Sequence, residues 1–253
     1  MPEARPAATI MVLRDGEDGL ELLMLRRSSK ASFFPHAWVF PGGRVDPADA
    51  EVAVRGAIDG VPASEHRYAV AAIRECFEEA GAWLGDGEPS GGLRDALNAR
   101  QATLLDAPGL IADLERLELW SWWVTPDSEP KRYDTRFFIT ALRPDEVPEI
   151  SHDEIETVSS QWMRPVDALA ADDFFLAPPT FLTLRELSAF DTAAEAMAAA
   201  AIQPVAPIMP THGHNEDGSF VIALPGDPLH PDPVKCCEYA RVVLREGRWI
   251  GEG

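Results

Sequence analysis

The sequence predicts an α/β protein: an α/β/α sandwich around a mixed β-sheet, with a helical insertion and a C-terminal β-hairpin extension. Three observations lead there. Short apolar and β-branched runs recur between turn residues, helical stretches alternate with them, and the strands are of unequal length. No internal repeat or low-complexity tail breaks the order. One domain is expected over residues 1–253, with insertions at about 50–64 and 86–118 and an extension over about 203–253.

The elements follow in chain order. ATIMVLRD at 8–15, EDG at 17–19 and LELLMLRR at 20–27 read as strand, turn and strand, a hairpin. Residues 28–49 are loop-like, with a short extended piece from Trp38 to Phe40 ending on Pro41-Gly42-Gly43. Residues 50–63 are Ala-rich and moderately helical, broken at Gly60 and Pro62. Ser64 is placed to cap a helix over 65–80, and Gly81 to end it. GDGEPSGG at 85–92 is a linker; two short amphipathic helices are expected over 93–106 and 109–118, parted by Pro108-Gly109. Residues 117–126 and 132–142 read as a strand pair and 156–165 as a further strand, after which Pro165 opens a short helix. Residues 178–202 read as one long helix, and the C-terminal segment as two hairpins around NEDG (215–218) and REG (245–247).

Charge narrows the partners. Asp and Glu number 42 against 22 Lys and Arg, a formal net charge of −20. Such a surface repels nucleic-acid phosphates and anionic lipid, so neither nucleic acid nor membrane is an expected partner. Cys76, Cys236 and Cys237 give no disulfide framework and no zinc spacing, which suits reduced thiols in a cytoplasmic setting. The N-terminal residues hold no long apolar run, and the terminal GEG is not a peroxisomal address.

RECFEEAG, residues 74–81, carries the chemistry. On a helical wheel Val70, Ile73, Phe77 and Ala80 fall within roughly 80° of one another, a core stripe. Glu75, Glu78 and Glu79 cluster on the other side, because spacings of three and four share a face. Alone, such a cluster is a solvated helix face. Its company is FPGG at 40–43 directly after a strand, Arg74 before Glu75, and Gly81 at the helix end. Like charges so placed repel, and a divalent cation with hard oxygen ligands reverses that cost.

These residues resemble the Nudix hydrolase signature, G-x5-E-x7-R-E-U-x-E-E-x-G-U with U apolar. Gly43, Arg74, Glu75, Cys76, Glu78, Glu79, Gly81 and Ala82 fill its positions. Asp49 stands where the pattern has its first glutamate, and residues 44–73 make a longer connection than the common form. Such a loop insertion costs little and leaves the acidic helix intact. The long form is similar to the peroxisomal-type coenzyme A diphosphatase branch, over about residues 8 to 228. FFPHAWVFPGGRVDPAD, WSWWVTP, RYDTRFF, LAPPTFLTLRELSAF and LPGD carry that likeness in order. A second coenzyme A motif is matched at Leu23, Arg27, Ser28 and Phe40 to Gly43, and departed from at Ser32 and His36.

The resemblance implies a hydrolase that cleaves the diphosphate of a nucleoside diphosphate linked to another moiety. Coenzyme A or acyl-coenzyme A is the first expectation, and ADP-ribose or NADH the alternative. It implies Mg²⁺ or Mn²⁺ held by Glu75, Glu79 and Glu78 with the carbonyl of Gly42. Glu78 would be ligand or base, Arg74 an ion pair that orients Glu75, and Glu156 the general base, with Asp153 and Glu154 as rivals. Arg26, Arg27 and Arg132 are candidate cations for substrate phosphates. Phe137 and the Trp120, Trp122, Trp123 set could stack an adenine, though such aromatics more often belong to the sheet core. Asp134 is expected to hold Arg132 or Arg136. His152, His212 and His214 read as loop residues, and Cys76 as structural. Many Nudix proteins dimerise, so a homodimer is a further expectation, though no residue names an interface. Two other classes compete: a catalytically silent nucleotide sensor, which usually lacks one of the three acids, and an isomerase of prenyl diphosphates, which wants a catalytic cysteine.

Overall fold

The computed structural model describes residues 2–29, 34–143, 146, 148, 150, 157–172, 174–235 and 238–252. Two strands, β1 (Arg5–Gly16) and β2 (Gly19–Arg27), form the expected hairpin, in register from Leu13 opposite Leu22 to Gly16 opposite Gly19. Next come β3 (Trp38–Val39), β4 (Gly42–Arg44), β5 (Val54–Arg55), helix α1 (His66–Ala80), β6 (Gly85–Asp86), α2 (Leu93–Asn98) and β7 (Ile111–Asp113). Then follow β8 (Glu118–Val124), β9 (Tyr133–Ala141), β10 (Thr157–Met163), α3 (Pro165–Ala170), α4 (Pro178–Leu187) and α5 (Ala193–Ala200). The chain closes with β11 (Pro207–Ile208), β12 (Thr211–His214), β13 (Phe220–Ala223), β14 (Arg241–Arg245) and β15 (Arg248–Glu252).

The main sheet runs β10-β2-β1-β9-β8-β11, with β3 on β2 and β4 on β1. β1 and β9 are parallel over Arg5–Leu13 and Tyr133–Ala141, and most other pairs are antiparallel, so the sheet is mixed as expected. Both faces are covered, which is why β1 and β2 read as nearly continuous apolar runs. Ala8, Ile10 and Val12 pack with Leu23, Leu25 and Phe138 toward α1. Met11, Leu13, Leu22 and Met24 pack toward α4 and α5, against Leu182, Leu184, Ala193 and Ala196. The two C-terminal hairpins form around the expected turns and join into a separate sheet, β12-β13-β14-β15.

Several expectations are corrected. Ser64 lies inside a 3₁₀ turn, Ala63–Glu65, so α1 starts from that turn and not from a serine cap. Gly81 does end the helix, at φ 78°, its amide donating to the carbonyl of Phe77. Of residues 109–118, Ile111–Asp113 is a strand, because it pairs with Val54–Arg55 on one side and Gly85–Asp86 on the other; a 3₁₀ turn capped by the Asp113 side chain follows it. Residues 50–63 contribute β5 and no α-helix. The stretch 178–202 breaks into two helices because Thr192 and Glu195 form a capping box that starts a new one. His212 and His214 lie in β12 and not in a loop, flanking the ring of Phe220.

The segments on either side of α1 in sequence fold onto each other. β5 and β6 both pair with β7, making a three-stranded sheet. Arg55 binds it by ion pairs to Asp86 and to the buried Asp113, which also accepts from Arg143 at 2.9 Å. Val52, Ile58, Leu93, Leu97, Leu104 and Leu110 from these segments pack into the same core as α1. The helix is therefore buried on more than its apolar stripe: Arg74, Cys76 and Glu79 are buried as well.

Candidate active site

The site grows from the contact between α1 and the β3–β4 bend. Gly43 lets α1 approach the bend, and Gly42 lets the bend approach β1. Gly42 stands opposite Thr9, where a Cβ would lie 2.6 Å from the carbonyl of Ala8; a Cβ on Gly43 would overlap the Glu75 carboxylate. Glu79, only 4% exposed, accepts a 2.9 Å hydrogen bond from the amide of Gly42. The carboxylate helix is thus locked to the Pro-Gly-Gly bend.

Arg74 organises the remaining acids. Its Nε and Nη2 donate to the two carboxylate oxygens of Asp49 at 2.9 and 3.1 Å. Nη1 donates to Glu75 Oε1 at 2.9 Å and Glu78 Oε1 at 3.0 Å, and Nη2 to the carbonyl of Arg44 at 2.7 Å. Burial opposes the guanidinium charge, but the Asp49 hydrogen bonds and the charges of Glu75, Asp49 and Glu78 outweigh it and raise the Arg74 pKa. Burial also raises the Glu78 carboxyl, against the pull of Arg74. The Cys76 thiol is pushed up to about 12 by burial and then by Glu79, so it stays protonated and serves as core. Carbonyls at the C-terminal end of α1 are capped from α2: Arg94 donates to those of Glu78 and Glu79 at 2.8 and 2.9 Å.

Glu75, Glu78, Glu79, Gly42 and Arg74 all line one cleft of about 630 Å³. Among the described residues no three His, Cys, Asp or Glu side chains converge as a ready-made metal cage, since Arg74 and the Gly42 amide hold the carboxylates. The donor set is nonetheless hard oxygen on one cleft wall. It suits Mg²⁺, which takes one or two carboxylates and completes its shell with water and substrate phosphate.

The other sequence candidates divide. Arg27 lines the cleft, and its Nε is buried without a hydrogen-bond partner among the described residues. Arg26, its neighbour on β2, is not part of the lining, as strand alternation requires. Arg132 is corrected to a structural role: it binds the carbonyls of Thr125 and Pro2 and pairs with Asp127 at 2.7 Å, outside the cleft. Phe137 is also corrected. It is buried with Met11, Ile139 and Trp123 in the core toward α4 and α5. Trp120 and Trp123 join that core, while Trp122 stacks on Arg136, which Asp134 and Glu65 hold. Glu156, its rivals Asp153 and Glu154, and also His152, Ser32, Cys236 and Cys237, lie outside the described residues. Arg5, Arg44, Arg100 and Lys131 also line the cleft, and no sequence signal set them apart from solvated surface cations.

Comparison with known proteins identifies the family. The family described as NUDT19 Nudix domain matches residues 55–187, and the NUDIX domain matches residues 4–100. The chain belongs to the Nudix family. It is a Nudix diphosphate hydrolase, with the mixed sheet and flanking helices of that fold. The acyl-coenzyme A diphosphatase NUDT19 of Gallus gallus is 29% identical, over 84% of this chain and 73% of that protein. Its Homo sapiens counterpart is 30% identical, over 68% of this chain and 62% of that protein. A crystal structure of a Nudix hydrolase from Alicyclobacillus acidocaldarius superposes with a TM-score of 0.67 at 31% identity, covering 81% of this chain and all of that one.

Proposed function

We propose that the protein hydrolyses the diphosphate of coenzyme A or an acyl-coenzyme A, giving 4′-phosphopantetheine, or its acyl form, and 3′,5′-ADP. The observation that carries the reading is that Glu75, Glu78 and Glu79 line one cleft together with Gly42 and Arg74. The likeness to proteins named acyl-coenzyme A diphosphatase supports the choice of substrate.

Glu75 and Glu79, with Glu78 and the carbonyl of Gly42, would hold Mg²⁺ or Mn²⁺. A divalent ion there supplies charge neutralisation at the phosphates and a more acidic water. The chain's own groups do the rest. Arg74 fixes Glu75 and Glu78 by donating to one oxygen of each. The Gly42 amide holds one oxygen of Glu79 in the same way. Arg27, whose buried Nε has no partner among the described residues, binds a non-bridging phosphate oxygen and orients the diphosphate.

The test is incubation of the purified chain with coenzyme A and Mg²⁺ or Mn²⁺. Appearance of 4′-phosphopantetheine and 3′,5′-ADP is expected, with a loss of roughly 10³-fold in Glu79→Gln, the scale of several kcal/mol of charge stabilisation. A folded protein that leaves coenzyme A and acyl-coenzyme A intact while cleaving ADP-ribose or NADH would move the reading to the alternative substrates.

A further inference from the structure

LRDALN, residues 93–98, is a short helix with two working stripes. Leu93 and Leu97, four residues apart, are buried in the core that holds Phe77, Ala80 and Leu84. Arg94 and Asn98 share the same spacing and meet the C-terminal end of α1. The last carbonyls of a helix have no partner inside it. Here the Gly81 amide takes that of Phe77, and Arg94 takes the next two. Its Nε donates to the carbonyl of Glu78 at 2.8 Å and its Nη2 to that of Glu79 at 2.9 Å. Asn98 Nδ2 donates to the Glu78 carbonyl as well, at 3.2 Å. Both carbonyls belong to acids of the site, so the guanidinium holds the main chain from which those carboxylates project. The helix dipole also favours a cation at this end. Arg94 is not among the residues that line the cleft, whereas Leu97, Asn98 and Leu104 from the same inserted segment are. Farther along the segment, the 3₁₀ turn Leu104–Asp106 packs on the turn Pro47–Ala50, which carries Asp49. The insertion therefore braces the acidic set at two points.

We propose that Arg94 is a positioning residue for hydrolysis: it fixes the backbone of Glu78 and Glu79 and, with it, the placement of their carboxylates. The inference rests on the reading of Glu75, Glu78 and Glu79 as the acids that hold the divalent ion. Helix ends fray where their carbonyls go unmet. Glu79 has one carboxylate oxygen on the Gly42 amide, and Glu78 has one on Arg74. Those bonds hold the tips of the two side chains; Arg94 holds their roots. With the last turn loosened, the two carboxylates no longer meet the ion at one spacing, and small misplacements are costly in rate. Substrate binding changes little, because Arg94 does not line the cleft. The site thus draws a part from the segment inserted after the acidic octapeptide.

The experiment compares wild type, Arg94→Ala and Arg94→Lys as full chains, each shown folded by circular dichroism at the assay temperature. Three quantities are read: kcat and KM for coenzyme A with Mg²⁺, the dissociation constant of Mn²⁺ alone by calorimetry, and amide hydrogen exchange over residues 75–84 by mass spectrometry. Arg94→Ala is expected to lose roughly 10–100-fold in kcat with KM within about twofold. It should bind Mn²⁺ roughly tenfold more weakly and exchange faster over that stretch. Arg94→Lys, which keeps the charge and one donor for a carbonyl, loses less of each. Faster exchange with kcat and Mn²⁺ affinity unmoved makes Arg94 a stabiliser of the helix end only and overturns the inference, as does unchanged exchange. A wild type that cleaves neither coenzyme A nor acyl-coenzyme A removes the substrate reading, and the Mn²⁺ and exchange measurements then decide the inference by themselves. A folded wild type that binds no Mn²⁺ overturns the metal-holding reading and this inference with it.

Discussion

Replacing Arg74 by methionine tests the centre of the site. Arg74 is 5% exposed and its main partner, Asp49, is 2% exposed. Five hydrogen bonds at about 1.5 kcal/mol each would suggest about 8 kcal/mol. That sum overstates the effect, because the guanidinium's own desolvation offsets much of it. The better guide is the cost of breaking a buried ion pair from one side, about 3–5 kcal/mol, set by the carboxylate left behind. For a chain of this size that lowers the melting temperature by about 6–20 °C. Urea unfolding followed by tryptophan fluorescence measures it, with a double-mutant cycle to Asp49→Leu. Removing both partners should recover a large part of the loss, giving a coupling of about 2 kcal/mol or more. Arg74→Met within about 1 kcal/mol of wild type, or a double variant as unstable as the two singles added, would refute the reasoning.

Two further outcomes are expected. Gly43→Ala should unfold close to wild type, since the atom it meets is the far end of the flexible Glu75 side chain, yet hydrolysis should fall roughly 100-fold as that carboxylate is displaced. Gly42→Ala meets backbone at Ala8 and Thr9 and should lose about 1–3 kcal/mol in urea unfolding; the reverse pattern would contradict the packing described. Glu186 tests pH. Burial raises its carboxyl pKa in the fold, against the hydrogen bond from Trp120 Nε1 at 3.0 Å. A raised folded pKa contributes stability that is complete below the unfolded value near about 4.3 and lost as pH rises through the folded value. Glu186→Gln, which keeps an acceptor for Trp120, should therefore be more stable than wild type at pH 7, with the gain vanishing toward pH 4; a pH-independent difference would count against it.

What was legible in the sequence was local. The β1–β2 hairpin follows from two apolar runs and a short polar turn, and the end of α1 from a glycine free to adopt positive φ. The acids of the site could be read because they lie within one helical turn and a half of each other, beside a Gly-Gly bend. The capping box at Thr192 and Glu195 was equally local but hidden inside an alanine-rich run that satisfies helix propensity on both sides. β5, β6 and β7 were not legible, since two- and three-residue strands owe their existence to partners more than twenty residues away. Phe137 was misplaced for a different reason. Both faces of β9 are buried, so the usual alternation of polar and apolar residues does not reveal which side chains reach the cleft.

The ion pairs joining Arg55, Asp86 and Asp113 make the two stretches that precede and follow the acidic helix a single module, split in the gene by the helix it clasps. Deleting the preceding stretch alone would leave the buried Asp113 with Arg143 only, and deleting the following one would take both Asp86 and Asp113 from Arg55. Length changes on the two sides of the helix are therefore tied together: related chains should carry both stretches or neither.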